Sequence, residues 1–148
     1  MLDELKGLYI RDIEKLKTEI SSYKNESDLA IIKGAILNSA GNLCLHLCGN
    51  LQTYLGSMLG NSGYVRDRDK EFSEKNYTKA SLLAEIDKAQ SAVELCFSKV
   101  TEADVNKKFP ETPHWEGFTI LHVLIICETH LTYHLGQINY HRRLLASG

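Results

Sequence analysis

The sequence predicts an all-α fold, a four-helix bundle, and three observations support this prediction. Apolar residues recur at helical spacing in four segments, and no segment shows the alternating pattern of a β-strand. The chain holds only two prolines, Pro110 and Pro113, which lie in one loop and leave the rest free to be helical. Its 148 residues suit one domain that buries roughly two-thirds of the surface of the unfolded chain. We therefore expect a single domain over residues 1–148.

The first helix is predicted from about Asp3 to Tyr23. Six apolar residues follow one stripe along it, which predicts the face that packs against the core. They are Leu5, Tyr9, Ile13, Leu16, Ile20 and Tyr23. The next segment, from Asn25 to Leu37, is less regular, and we expect a loop with a short helix.

The second helix is predicted to begin after an N-cap at Asn38 or Ser39 and to end near Leu59, before Gly60. A polar stripe runs beside its apolar face. The members of the stripe are Ser39, Asn42, His46, Asn50, Thr53 and Ser57. Helical geometry leaves two interpretations open, a solvent-exposed face or the wall of a polar cavity at one end of the bundle.

The third long helix is predicted to begin near Thr78, and the last helix to run from about Thr119 to Leu145. Between the second and third helices lies a polar segment, 64–72, which makes the connection long for a simple hairpin. We therefore expect a crossover connection between helices 2 and 3.

Composition excludes several classes of function. The formal net charge of −2 provides no basic face for nucleic acid or for an anionic membrane. The first residues include charged side chains and lack the apolar core of a signal peptide, and no apolar stretch is long enough to span a bilayer. A cytoplasmic location is therefore expected. The four cysteines lie within apolar helical patterns and are expected to be buried, reduced thiols.

Two histidines of the last helix, His130 and His134, are one helical turn apart and share a face with Gln137 and His141. Toward the N-terminus the same stripe becomes apolar, which indicates an inward-facing surface near one end of the bundle. Imidazoles at positions i and i+4 can bind one metal ion between them. His141 lies about 16 Å along the helix from His130, too far to bind the same ion.

A third ligand is needed for a metal site, and His46 on the second helix is the best candidate. Its position on the polar stripe fits either a ligand or a solvent-facing residue. Metal binding would satisfy several buried imidazoles at once, and a buried polar group without a partner costs about 1–3 kcal/mol.

The chain resembles the DinB/YfiT-like superfamily of metal-binding four-helix bundles. The resemblance rests on His46 within HLCGN, on the pair within HLTYHLGQ, and on the RDRDKEF segment, and it is closest to a branch of uncharacterised function. It implies that His46, His130 and His134 bind a divalent transition metal, with Zn, Ni and Fe as candidates. Asn42, Asn50, Gln137 and His141 are weaker candidates for pocket residues or for partners of the ligands.

Several DinB-like relatives are thiol S-transferases, so the resemblance implies a metal-dependent thiol transferase that activates a low-molecular-weight thiol. Two alternatives stay open: a metal-dependent hydrolase, and a non-catalytic protein that binds a metal or another small ligand and is compatible with a homodimer. Hydrolysis requires a general base, and no acidic residue shares the histidine face of the last helix. The Arg66-Asp67-Arg68-Asp69 run is either a solvated loop or the rim of a pocket that binds an anionic group.

Overall fold

The fold is a bundle of four long helices, seen in a computed structural model that describes residues 1–110 and 112–146. Each long helix carries an apolar stripe and buries it against its neighbours. These helices are α1 (Leu2–Ser21), α2 (Ala40–Leu51, continued as a π-helix over Gln52–Leu59), α4 (Lys79–Lys99) and α5 (Ile120–Ala146). A short helix, α3 (Arg68–Ser73), and a 3₁₀ turn at Glu26–Ala30 complete the helical segments. None of the helices described here is long and apolar enough to cross a membrane.

The long helices are arranged so that α1 and α2 occupy opposite corners of the bundle, each packed against both α4 and α5. Helices α2 and α4 run parallel. At one end Lys99 donates to the carbonyl of Gly60, and at the other the hydroxyls of Tyr77 and Ser39 lie 2.8 Å apart. The chain must therefore return along the bundle between them, which confirms the predicted crossover connection.

The predicted core face of α1 is confirmed, because all six residues of its stripe are buried. The predicted starts of the second helix, after an N-cap at Ser39, and of the third long helix, near Thr78, are also confirmed. The Ser39 hydroxyl accepts from the amide of Asn42 at 3.3 Å, and Thr78 forms a reciprocal capping box with Ser81. The short helix expected between residues 25 and 37 is the 3₁₀ turn.

The crossover connection contains a helix, α3, that the sequence pattern did not predict. Asp67 is its N-cap, and its carboxylate accepts from the amide of Lys70 at 3.1 Å. Helix α3 packs against α2 on the side of the polar stripe. Four of the six residues of the stripe, Ser39, Asn42, His46 and Asn50, are buried, so this part of it is an interior polar surface rather than a solvent-exposed face.

Asn42 fixes α3 to α2. Its side-chain amide donates to the carbonyls of Glu71 and Glu74, each at 2.8 Å, at the end of α3 where carbonyls lack helical partners. The side chain is 1% exposed, so neither carbonyl can simply exchange this donor for water. Asn42 therefore holds the crossover connection in place.

Replacing Asn42 by alanine is expected to lower the free energy of unfolding by about 1–3 kcal/mol, because two carbonyls lose a buried donor. Urea denaturation measures this change. Ser57→Ala on the same helix is the control, since the Ser57 hydroxyl makes no hydrogen bond to a described residue. Equal stability of the two variants would contradict the role given to Asn42.

Candidate metal centre

Three histidines from two helices converge inside the bundle. His46 comes from α2, and His130 and His134 come from successive turns of α5. One ring nitrogen from each lies within 4.8 Å of those of the other two, and the Nε2 atoms of His46 and His130 are 3.1 Å apart. The two rings are almost perpendicular, at 82°. This arrangement directs several imidazole nitrogens toward one small volume.

The orientation of His46 is set by a carboxylate from α3. Nδ1 of His46 lies 3.0 Å from Oε1 of Glu71, so a proton on Nδ1 can be donated to this oxygen in a hydrogen bond. Arg66 in turn donates to both oxygens of Glu71, from Nε at 2.8 Å and from its terminal nitrogen at 2.9 Å. With its proton on Nδ1, a neutral His46 presents a free lone pair on Nε2.

Gly49 makes room for this carboxylate. A Cβ atom at position 49 would lie 1.9 Å from Oε2 and 2.6 Å from Cδ of Glu71. Any side chain there would push Glu71 away from His46. The glycine in the HLCGN segment is thus required by the close approach of α3 to α2.

His134 is oriented by a residue of its own helix. Its Nδ1 lies 2.6 Å from Oε1 of Gln137, three residues further along α5. If Nδ1 carries the proton and donates it to this oxygen in a hydrogen bond, Nε2 keeps a free lone pair. The structure therefore places Gln137 beside a candidate ligand, in the same relation that Glu71 has to His46.

His130 differs from the other two, because its Nδ1 is buried and has no hydrogen-bond partner. In the ion-free protein its Nε2–H can donate to the bare Nε2 of His46. If His130 held an ion through Nε2, the proton of its neutral ring would lie on Nδ1. The side-chain oxygen of Asn50, one turn after His46, is likewise buried without a partner.

Burial keeps two of the imidazoles neutral. Desolvation, with the neighbouring His134 and His46, lowers the pKa of His130 from 6.5 to about 4. Burial also lowers the pKa of His134, although the bond to Gln137 opposes the shift. For Glu71, burial alone would raise the pKa, but the bonds from His46 and Arg66 outweigh it and lower the pKa.

These features fit a metal site. Neutral imidazoles are the protonation state that binds a metal ion, and two of the three carry an acceptor on the opposite ring nitrogen. The orphaned Nδ1 of His130 shows that the ion-free arrangement leaves a buried polar atom unsatisfied. The His46, His130 and His134 group can therefore hold a metal ion.

The remaining predicted residues lie at varying distances from this centre. Asn50 follows His46 by one turn of α2 and is 9% exposed. Asn42 is used to anchor α3, as described above. His141 bonds to the Tyr23 hydroxyl at 2.7 Å and to the carbonyl of Ile31 at 2.8 Å, so it joins α5 to the segment before α2 and does not contact the histidine triad.

Sequence reasoning did not identify Glu71, and it left Arg66 as an open alternative. The available signal was the capping residue Asp67, followed by residues that favour a helix. A helix of six residues is too short to show a periodic pattern, so its inward-facing carboxylate was not apparent.

The lowered pKa of His130 predicts a pH-dependent stability. Between pH 6.5 and about 4 the unfolded chain binds a proton at His130 that the ion-free folded protein does not. The stabilising contribution is complete above pH 6.5 and is lost as the pH falls toward 4. An NMR titration of the His130 ring in ion-free protein should give a midpoint near 4. A midpoint near 6.5 would contradict the burial argument.

Gly49→Ala and Glu71→Gln are each expected to weaken zinc binding about tenfold or more, because His46 loses its carboxylate partner. Competition with a chelating dye measures the dissociation constant. Gly7→Ala is a matched control, since a Cβ there meets nothing within 4 Å. Unchanged affinity in both site variants would show that Glu71 does not position a ligand.

Comparison with known proteins identifies the family of the chain. Searches of curated proteins and of solved structures each return no match. A family model described as "Protein of unknown function (DUF1572)" matches residues 7–148 and therefore covers the three histidines, Glu71 and the whole crossover connection. The chain belongs to the DUF1572 family.

Proposed function

We propose that the protein is a metal-dependent thiol S-transferase of the DinB/YfiT type, with His46, His130 and His134 as the ligands of a divalent transition metal ion. The observation that carries the proposal is the convergence of three ring nitrogens within 4.8 Å of one another. The four-helix bundle, its crossover connection and the His134-Leu-Gly-Gln137 sequence support the DinB/YfiT assignment.

A site with three protein ligands favours a catalytic role over a structural one, because structural sites are usually closed by four protein ligands. When bound, such an ion lowers the pKa of a coordinating thiol and so favours the reactive thiolate. The residues around the site orient the histidine ligands. Glu71 and Gln137 hold His46 and His134 in place, and the surrounding helices keep His130 neutral.

The proposed reaction needs no general base from the chain. The thiol loses its proton to solvent, and its sulfur forms a bond to an electrophilic carbon of the second substrate. The leaving group departs from that carbon with the bonding electrons. The role of the described residues is to bind, orient and desolvate the reacting thiol.

Hydrolysis fits the geometry less well, because the nearby carboxylates are already engaged. Both oxygens of Glu71 accept from Arg66, and one also accepts from His46. Glu128 lies on the α1 side of α5, near Asp12. Burial, together with the charge of Asp12, raises the pKa of Glu128 to about 8, so this carboxyl is mostly protonated at neutral pH. Neither group is placed to activate water beside the histidines.

Metal analysis tests the ligand set directly. Protein purified without a histidine tag and dialysed against zinc is expected to retain about one ion per chain, and His130→Ala is expected to lose it. His122→Ala is the control, because His122 is exposed and packs on Phe118. Equal metal content in wild type and His130→Ala would overturn the proposed site.

Thiol transfer is tested with the metal-loaded protein, a panel of low-molecular-weight thiols and an aryl chloride whose thioether product absorbs light. The proposal predicts a rate above that of free metal with at least one thiol, and loss of this rate in His130→Ala. Thiol-independent cleavage of an ester would instead indicate a hydrolase. Metal binding without either activity would indicate a binding protein.

A further inference from the structure

Some charged residues of the crossover connection have a clear structural role, whereas others, Arg68 among them, form no ion pair with a described residue. Arg66 binds Glu71, and Asp67 caps α3. Arg68 has no ion pair with any carboxylate in residues 1–110 or 112–146, although Asp67 and Asp69 are its sequence neighbours. A guanidinium presents five N–H donors in a planar fork that matches a carboxylate.

Arg68 lies next to the histidine triad, separated from it by one aromatic ring. Its Cζ atom is 5.2 Å from the centroid of the Phe72 ring. The Phe72 ring is in turn 4.9 Å from the ring of His46. Arg68 is exposed and Phe72 is half-buried, so the guanidinium stands at the solvent edge of the site.

The contact with Phe72 restricts the guanidinium before any ligand binds. A cation–π contact at an exposed site is weakly stabilising and favours this rotamer. Because Arg68 and Phe72 are one turn apart on α3, the helix that holds His46 through Glu71 also holds Arg68. The position of the cation is thus coupled to that of the candidate ligand.

The guanidinium of Arg68 is available to an anionic ligand. Arg66 is bound by Glu71, and the Asp67 carboxylate accepts from the amide of Lys70. Asp67 and Asp69 flank Arg68 in sequence, but neither forms an ion pair with it in the described residues, so its N–H donors face the solvent edge without a carboxylate partner. A positive group at the entrance to a site attracts anions and lowers the free energy of their bound state.

We propose that Arg68 determines substrate specificity by binding a carboxylate of the thiol whose sulfur approaches the histidine triad. The inference rests on the proposed function and narrows its substrate class to anionic thiols. Because the Phe72 ring separates the guanidinium from His46, the carboxylate is separated from the sulfur by a chain of several atoms. Arg68 selects the ligand and is not a catalytic residue.

The test uses two thiols of equal length, 6-mercaptohexanoate and 6-mercaptohexanol, with the cobalt-loaded protein. The thiolate-to-cobalt absorption band reports binding of the sulfur for both. Wild type is expected to bind the acid about fivefold more tightly than the alcohol, as one partly exposed charge-assisted contact would give. Arg68→Gln is expected to bind both thiols equally, and Arg68→Lys to retain part of the preference.

Arg143→Gln provides the matched control. Arg143 is an exposed arginine of α5, nine residues beyond His134 and about 13 Å along the helix. This variant is expected to keep the fivefold preference. Raising the salt concentration is expected to reduce the preference in wild type, because an exposed charge pair is screened.

Failure of the inference is distinguishable from failure of the proposed function. Equal binding of the two thiols to wild type, or a preference that survives in Arg68→Gln, would overturn the role of Arg68 alone. Cobalt-loaded protein that binds neither thiol would overturn the thiol-transferase proposal and this inference together.

Discussion

The candidate site depends on one buried interaction, the hydrogen-bonded series from Arg66 through Glu71 to His46. Glu71 is 6% exposed, and an isolated buried carboxylate would be costly. The fork of Arg66 and the Nδ1–H of His46 compensate that cost, so the carboxylate stays ionised. The same series fixes the crossover connection to α2 and turns Nε2 of His46 toward α5. Removing Arg66 would leave the buried carboxylate without its cationic partner.

The structure also explains how an ion-free form can exist. The Nε2 atoms of His46 and His130 are 3.1 Å apart, a hydrogen-bond distance, so one of the rings can donate to the other. If both residues held an ion through Nε2, this hydrogen bond would be lost and the proton of neutral His130 would lie on Nδ1. The buried oxygen of Asn50, which has no partner, is an acceptor of the chemical type that such a proton requires. Metal binding at this site would therefore compete with an internal hydrogen bond, and His130, whose pKa burial lowers to about 4, would already be neutral at pH 7.

Much of the fold could be predicted because its signals are local. The α1 stripe, the N-cap at Ser39, the helix start near Thr78 and the long connection before α4 predict the bundle and its crossover from spacing and residue type alone. The His130 and His134 pair is similarly local, since helical geometry places both on one face. The position of His46 in the interior was harder to predict, because a polar stripe on a helix fits a solvent-exposed face equally well. Its burial depends on α3, which approaches from elsewhere in the chain.

Glu71 and Arg66 illustrate why the rest could not be predicted. Their roles depend on the docking of a six-residue helix, which leaves no periodic pattern. That docking requires a residue without a side chain at position 49, which is Gly49, and it also depends on the side-chain amide of Asn42. Each residue is unremarkable in its own segment, and only the tertiary contact relates them. Non-local polar contacts of this kind specify the site more than the hydrophobic pattern does.

The most direct test of the account is a crystal structure of the zinc-loaded protein with anomalous data collected at the zinc edge. The account predicts one anomalous peak bound by the Nε2 atoms of His46, His130 and His134, with Glu71 and Gln137 still bonded to Nδ1 of their histidines. A peak bound elsewhere, or zinc-loaded crystals in which His46 and His130 keep their direct hydrogen bond, would contradict it.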